Sequence, residues 1–440
     1  MSERKASSFS SKIGLIMAAA GSAVGLGNIW KFPYIAGENG GGAFLIVYLV
    51  CVLLFGMPMI MTEFLIGKRS GKSAYGAFQA LNGNNRWNWL SWWCMLTAFI
   101  IMGFYFVVTG WCFSYLSEAA LNVFSGLDAN DLTEHFATVN TNKLWMIGFS
   151  ILPVILTAMV LWFDVNKGIE RLSKILMPLL LLMMVLMAGR VLMLDGSNIG
   201  MRFFFQTDFS KITPKVIMEA MGQCFFSLSI GMGALITYGA YMPKNQNVTK
   251  TSVQVIVLDT LVALLAGVII FPAVFSFGFN PAEGPQLVFV VLPAIFEQMS
   301  FSWLSSVLFF ALLCIAALTS TISLMEVAVA FICEASKDKL NRQKSVLIAS
   351  AIVIALIVLC VYVPVLFDGF DEVTACVMLP LGALGMSLFV GWSLPKNGEK
   401  GVLHADKGIK RWFGKMYIFA LRWIVPIVIL LVFLNSLKIV

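Results

Sequence analysis

Apolar residues along this chain gather into runs of about twenty or more, separated by short stretches that hold most of the charges. Eleven such runs stand near 12–37, 43–67, 90–124, 144–163, 168–194, 214–241, 250–279, 303–334, 345–366, 372–394 and 412–437. A helix needs about 20 residues to cross the hydrocarbon core, whereas a barrel strand needs roughly 10. Backbone polar groups in lipid must also be bonded internally. The pattern therefore predicts an all-α integral membrane protein of eleven transmembrane helices, the first, third and eighth long enough to tilt or protrude. A further apolar stretch, 284–300, is short and interrupted by Pro293. It reads as a re-entrant segment or hairpin lid on the outer face.

Placing the charges against these runs sets a topology. With the N-terminus inside, 22 of the 30 Lys and Arg residues fall on the inner side. The positive-inside rule then predicts a cytoplasmic N-terminus and, with an odd span count, an external C-terminus. The outer loops carry acids: Glu118, Asp128, Asp131 and Glu134 after the third span, and Asp368, Asp371 and Glu372 after the ninth. The formal charge of +7 is thus explained by topology and calls for no nucleic acid partner. Composition agrees, since 59% of residues are hydrophobic and 12% charged, against about 25% charged in a typical globular domain. Mean hydropathy is +0.88.

All eight cysteines (Cys51, Cys94, Cys112, Cys224, Cys314, Cys333, Cys360 and Cys376) lie in or at the ends of spans, without metal spacing or a disulfide framework. The N-terminus lacks a cleavage pattern, so the first run is kept as a span. The sequon Asn247-Val248-Thr249 falls on the inner side, where it would not be glycosylated.

Two spans are interrupted by glycine. The first carries Gly21, Gly25 and Gly27, and the sixth carries Gly231 and Gly233 after a serine-rich stretch. Small residues in membrane helices can serve close packing. Glycines one residue apart, however, form no single stripe on a helix of period 3.6. Lipid punishes a broken backbone unless it lines a cavity. The GLG at 25–27 and the GMG at 231–233 each open a block of five spans, which points to inverted repeats with a midplane site. The expected division is 12–194 for the first five-helix repeat, 214–394 for the second and 412–437 for an additional helix.

Enzymatic chemistry lacks its tools here. The two histidines, His135 and His404, lie in opposite loops, and no HExxH, GxSxG or nucleotide-binding loop occurs. Unwound segments instead free backbone carbonyls, which hard cations such as Na+ prefer, and Asn28, Ser227, Ser229, Thr319 and Ser320 add side-chain oxygens. A half-helix N-terminus favours a carboxylate. Cations and a carboxylate together suit an amino acid carried with sodium.

The stretch GSAVGLGNIWKFPYIAGENGGGAFLIVYL at 21–49 resembles the first-helix signature of the neurotransmitter:sodium symporter family, the LeuT-like transporters. NKGIERLSKILMP in span five, GQCFFSLSIGMGALITYGAYM in span six and LTSTISLMEVAVAF in span eight are similar to that family as well. The resemblance runs in order over nearly the whole chain. It implies the LeuT fold, a 5+5 inverted repeat with helices 1 and 6 discontinuous. Many members have twelve helices and some bacterial ones eleven; the helix lacking here lies outside the core.

It further implies two sodium ions. One would be held by Ala23, Asn28, Ser227 and Asp259 with the substrate carboxylate. The other would use Gly21, Val24, Ala316, Thr319 and Ser320. The amino acid would sit between the breaks, its carboxylate at Gly25, Gly27 and Tyr105, near Ala23 and Ser227. Its side chain would meet Ile101, Phe226, Ser229, Met232, Ser320 and Leu324. Ordinary packing is the plainer reading of Ile101, Phe226, Met232 and Leu324 taken singly.

The chain departs from the family in several places. Its outer gate would be Lys31 facing Asp371, where the family pairs an arginine; lysine lacks the bidentate fork. The inner Arg-x-x-Trp latch becomes Ala6 and Phe9, leaving Arg4 and Lys5 near Glu334. Gly168 and Pro178 keep a Gly-x9-Pro spacing that some members unwind, though a capping glycine and a kinking proline read equally well. Chloride-dependent members resemble one another in an Asn at 259 and a Ser at 263, where this chain has Asp259 and Ala263.

The expected function is sodium-coupled, chloride-independent symport of a neutral hydrophobic or aromatic L-amino acid by alternating access. The expected setting is a bacterial plasma membrane, with a monomer or homodimer in the bilayer. A sensor that binds the ligand without transport would need a signalling domain, and a channel conflicts with a pocket closed at both ends.

Overall fold

Polar side chains flanking the apolar runs start the helices. Ser11 caps the first span by accepting from the Gly14 amide at 3.0 Å, and Asn142, Thr213 and Asn341 do the same for the fourth, sixth and ninth. Asn247 of the sequon caps the seventh through the Lys250 amide at 2.8 Å. The structure, a computed structural model, describes residues 8–83, 85–282, 284, 286–337, 339–394 and 411–436.

Among the described residues nine helices are long and apolar enough to cross a bilayer. They are Gly42–Ser70, Asn88–Ala120, Lys143–Leu161, Asn166–Leu192, Val248–Ser276, Ser302–Ala335, Arg342–Tyr362, Pro364–Ser393 and Gly414–Leu431. A tenth span is completed by Lys12–Ala23 and Gly27–Glu38, which meet at 48°. The sixth expected span consists of Pro214–Ser227 and Ala234–Ala240, pieces of 14 and 7 residues. Each is shorter than a bilayer crossing, so length and composition alone reach ten spans, not eleven.

The third and eighth spans form the interior scaffold, with 72% of their apolar windows buried, against 28% for the fourth and the last. The stretch read as a lid is the short apolar helix Leu287–Glu297, buried against the bundle from Leu287 to Phe296. Phe289 meets Trp30 at 6.4 Å, Trp111 at 5.7 Å and Tyr115 at 5.2 Å between ring centroids.

Two loop helices, Ala129–Thr141 and Ser197–Phe205, were not foreseen. The first begins with a capping box in which Asp128 accepts the Asn130 and Asp131 amides and Asp131 accepts the Asp128 amide. Two of the outer acids therefore serve as helix caps.

Candidate functional site

Both expected interruptions are breaks in the backbone, and they lie against each other. The first helix ends at Ala23, Val24 is extended (φ −73°, ψ 110°), and the chain resumes in a π-turn from Gly27. In the sixth span Ser229, Gly231 and Gly233 have φ of +54°, +96° and +79°. A β-carbon on Gly231 would collide with the Leu379 carbonyl of span ten, so both the backbone angle and the close approach require glycine. The Ser229 hydroxyl donates to the Ser22 carbonyl at 2.8 Å, joining the two breaks.

Between them lies a small cavity. Ten of the eleven expected substrate residues line it: Ala23, Gly25, Gly27, Ile101, Tyr105, Phe226, Ser229, Met232, Ser320 and Leu324. The eleventh, Ser227, is buried with Asn28 and Asp259. At Gly25 a side chain would run into Ser320 and stand 2.8 Å from the Tyr105 hydroxyl, so only backbone can border the cavity there. That hydroxyl accepts the Leu26 amide at 3.2 Å. Ser22, Ser323 and Leu379 also line the cavity and were missed. A small polar residue in an apolar run carries no signal of the direction it faces.

Asn28, Ser227 and Asp259 form one buried cluster. Asn28 Nδ2 donates to Asp259 Oδ1 at 2.7 Å, to the Asp259 carbonyl at 3.2 Å and to Ser227 Oγ at 3.0 Å. Ser227 Oγ donates to both Asp259 oxygens, at 2.9 and 3.1 Å. Tyr48, unforeseen on span two, reaches Ser227 at 3.3 Å and Asp259 at 3.4 Å. Among the described residues no Lys or Arg is paired with this fully buried carboxylate. Its charge needs a cation or a proton to be tolerated there.

The second expected ion site also converges. Thr319 Oγ1 donates to the Ala316 carbonyl at 2.9 Å and Ser320 Oγ to the Val24 carbonyl at 3.4 Å. A β-carbon on Gly21 would stand 3.2 Å from that of Thr319. Hydroxyls and carbonyls of this kind are hard donors, suited to an alkali cation. Among the described residues no three His, Cys, Asp or Glu gather in a way that could hold a metal ion.

Two ion pairs involve spans that line the cavity. Lys31 Nζ lies 2.9 and 3.1 Å from the Asp371 oxygens and 4.5 Å from the centroid of Phe226, a cavity-lining ring. At the Phe9 end, Phe9 is buried against Tyr238 and Tyr241. Arg4, Lys5 and Ala6, expected near Glu334, lie outside the described residues; Glu334 accepts the Ser73 amide at 2.9 Å. One ion pair at this end joins Arg342 to Glu326 at 2.6 and 3.0 Å, with the Tyr241 hydroxyl donating to Glu326 at 2.7 Å. Sequence reading missed it, although an acid inside an apolar span is itself a functional signal.

Gly168 sits in a π-turn, Asn166–Glu170, packed against the Val160 carbonyl. It therefore caps no helix end. Pro178 lies inside the helix that follows. Glu170 in that turn accepts from the Ser10 amide at 2.6 Å and from the Ser10 and Ser11 hydroxyls at 2.8 Å.

Two broken helices, a cavity between them and an oxygen-rich buried carboxylate are the arrangement of a secondary transporter. The chain belongs to the sodium:neurotransmitter symporter family, whose profile matches residues 6–128 and 132–440. It is a sodium-dependent transporter with the LeuT fold. It is 38% identical to the sodium-dependent transporter YhdH of Bacillus subtilis over 99% of this chain and 98% of that protein. A sodium-dependent transporter of Haemophilus influenzae is 33% identical over 98% of each. The crystal structure of MhsT in complex with L-phenylalanine superposes with a TM-score of 0.90 at 38% identity, covering 98% of this chain and 99% of MhsT.

Proposed function

We propose that this transporter carries a neutral hydrophobic or aromatic L-amino acid together with two sodium ions, without chloride, by alternating access in a bacterial plasma membrane. The observation that carries the reading is Asp259, a buried carboxylate bonded only to neutral donors beside both breaks. One ion would sit among Ala23, Asn28, Ser227 and Asp259, the other among Gly21, Val24, Ala316, Thr319 and Ser320. The substrate carboxylate would meet Gly25, Gly27 and Tyr105. The cavity lining contains no charged side chain, which disfavours basic and acidic substrates, whose unpaired burial is costly. That MhsT is known in complex with L-phenylalanine supports the same class.

Chloride independence follows from charge. A fixed negative charge close to sodium offsets the cation's field without a mobile anion, and Ala263, one turn beyond Asp259, has no hydroxyl to hold one. Lys31 with Asp371 would gate the outer side. On the inner side Glu334, with Arg342 and Glu326, would close the path. The distribution of Lys and Arg supports a cytoplasmic N-terminus and an external C-terminus. The repeats comprise 12–194 and 214–394, with 412–437 added.

Uptake of labelled amino acids into proteoliposomes, with an inward gradient of sodium or of potassium and with chloride or gluconate, tests the reading. Leucine, phenylalanine, tyrosine or tryptophan is expected to accumulate with sodium in either anion. Full uptake with potassium, or a chloride requirement in the parent protein, refutes it. Asp259→Asn with Ala263→Ser is expected to create chloride dependence.

A further inference from the structure

Glu118 stands in the last turn of the third span, 7% exposed, and among the described residues no Lys or Arg is ion-paired with it. Its partners are Ser114, whose hydroxyl donates to Oε1 at 2.8 Å, and His135, whose Nε2 lies 2.8 Å from Oε2. The Ser114 oxygen is itself held by the Trp145 indole N–H at 2.9 Å. A buried carboxylate is tolerated when a cation pairs with it. Histidine supplies one only when protonated, and its charge changes between pH 5 and 8.

The pair fastens the loop helix Ala129–Thr141 to the third span. His135 packs edge-on against Tyr115 and Phe124, at 6.1 and 6.2 Å between ring centroids. The next residue, Phe136, lies nearly parallel to Phe289 of the helix Leu287–Glu297, 9° between planes at 5.9 Å, and Phe289 in turn meets Trp30, beside Lys31. Glu297, at the other end of that helix, accepts the Gly126 amide at 3.0 Å. The other titratable groups on these elements are otherwise engaged or point away. Asp128 and Asp131 form the capping box, Glu134 is exposed, Lys143 at the start of the fourth span lies 4.7 Å over the Tyr362 ring, and the buried Tyr115 hydroxyl carries no charge at neutral pH.

We infer that His135 and Glu118 form a pH-sensitive latch: the protonated imidazole holds the loop helix on the third span and, through Phe136 on Phe289, holds the helix Leu287–Glu297 against Trp30. The sign follows from charge. The latch is strongest at low pH and weakens as pH rises through the range in which histidine titrates, because the neutral ring keeps a hydrogen bond to Glu118 and loses the ionic attraction. On the proposed topology this face is external, so acid outside holds the outer side shut. The effect on transport rests on the proposed function; the docking of the loop helix does not.

Val139, 7% exposed on the inward side of the loop helix, reports on docking. The test is maleimide labelling of Val139→Cys in the full chain in lipid nanodiscs, with Cys333 and Cys376 replaced by serine, since the other six native cysteines are buried. Rates are compared with and without His135→Gln at about pH 6 and about pH 8, so that the thiol's own response to pH cancels. His135→Gln is expected to label roughly three- to tenfold faster at the lower pH, the gap between a charged and a neutral hydrogen bond at a partly exposed site, and equally fast at the higher. The same ratio at both pH values overturns the latch. With Glu118→Gln also present, His135→Gln is expected to change nothing; a pH-dependent difference retained there overturns the pairing. In proteoliposomes the leucine concentration for half-maximal sodium-driven uptake should rise by a similar factor on external acidification, relative to His135→Gln. Equal shifts in parent and variant overturn the link to transport. Absence of uptake for every amino acid overturns the proposed function, while labelling still decides the latch.

Discussion

Replacing Arg342 by methionine is expected to open the molecule at its Phe9 end. Glu326 is fully buried and accepts two bonds from the Arg342 guanidinium and one from Tyr241. Removing Arg342 leaves that carboxylate with the tyrosyl hydroxyl alone, and breaking a buried pair on one side costs about 3–5 kcal/mol. If the cost falls on the closed arrangement, the open population rises by roughly two to nearly four orders of magnitude. The double variant Arg342→Met, Glu326→Gln removes the orphaned charge and keeps an acceptor for Tyr241. Arg342 Nε also donates to the Leu161 and Phe163 carbonyls at 2.9 and 3.0 Å. That loss is common to both variants and cancels between them. Cys333, half-buried and 3.2 Å from the Ser345 hydroxyl, reports on this end once Cys376, the other half-buried cysteine, is replaced by serine, since the remaining six are buried. Maleimide labelling of Cys333 should accelerate strongly in Arg342→Met, sodium-driven uptake should fall, and the double variant should recover much of both. A double variant as reactive as the single one would refute the argument, because the uncompensated charge would then not be the cause.

Asn28→Ala and Thr319→Ala should each raise the sodium concentration needed for uptake or abolish it, since each leaves a cation short of an oxygen in a low-dielectric site; unchanged sodium dependence in both speaks against the two ion sites. Gly231→Ala should reduce the folded yield and lower the melting temperature, because the new methyl meets the Leu379 carbonyl at a φ of +96°. Size-exclusion profiles and thermal unfolding check it, with parent-like behaviour counting against the close approach.

Residues 12–37 and 214–241 show how far the sequence reached. Lipid offers no solvent to an unpaired backbone, so a run of membrane length can only be helix, and glycines one residue apart can only weaken it. Breaks, spans and the oxygen-bearing positions beside them were legible for that reason. The Asp259 cluster was legible only in part: Asn28, Ser227 and Asp259 stand out as polar groups in apolar runs, whereas Tyr48 looks like any aromatic in a span.

What tertiary structure alone decided were the partners. Nothing local tells Glu326 to choose Arg342 over Lys337 or Lys344, or Glu170 to take the Ser10 amide 160 residues away. Nothing local directs the Ser229 hydroxyl to the Ser22 carbonyl, 207 residues away. Apolar runs specify burial through transfer free energy, which is additive along the chain and has no direction. Hydrogen bonds and ion pairs depend on distance and angle between groups far apart in sequence, and so exist only once the helices have packed.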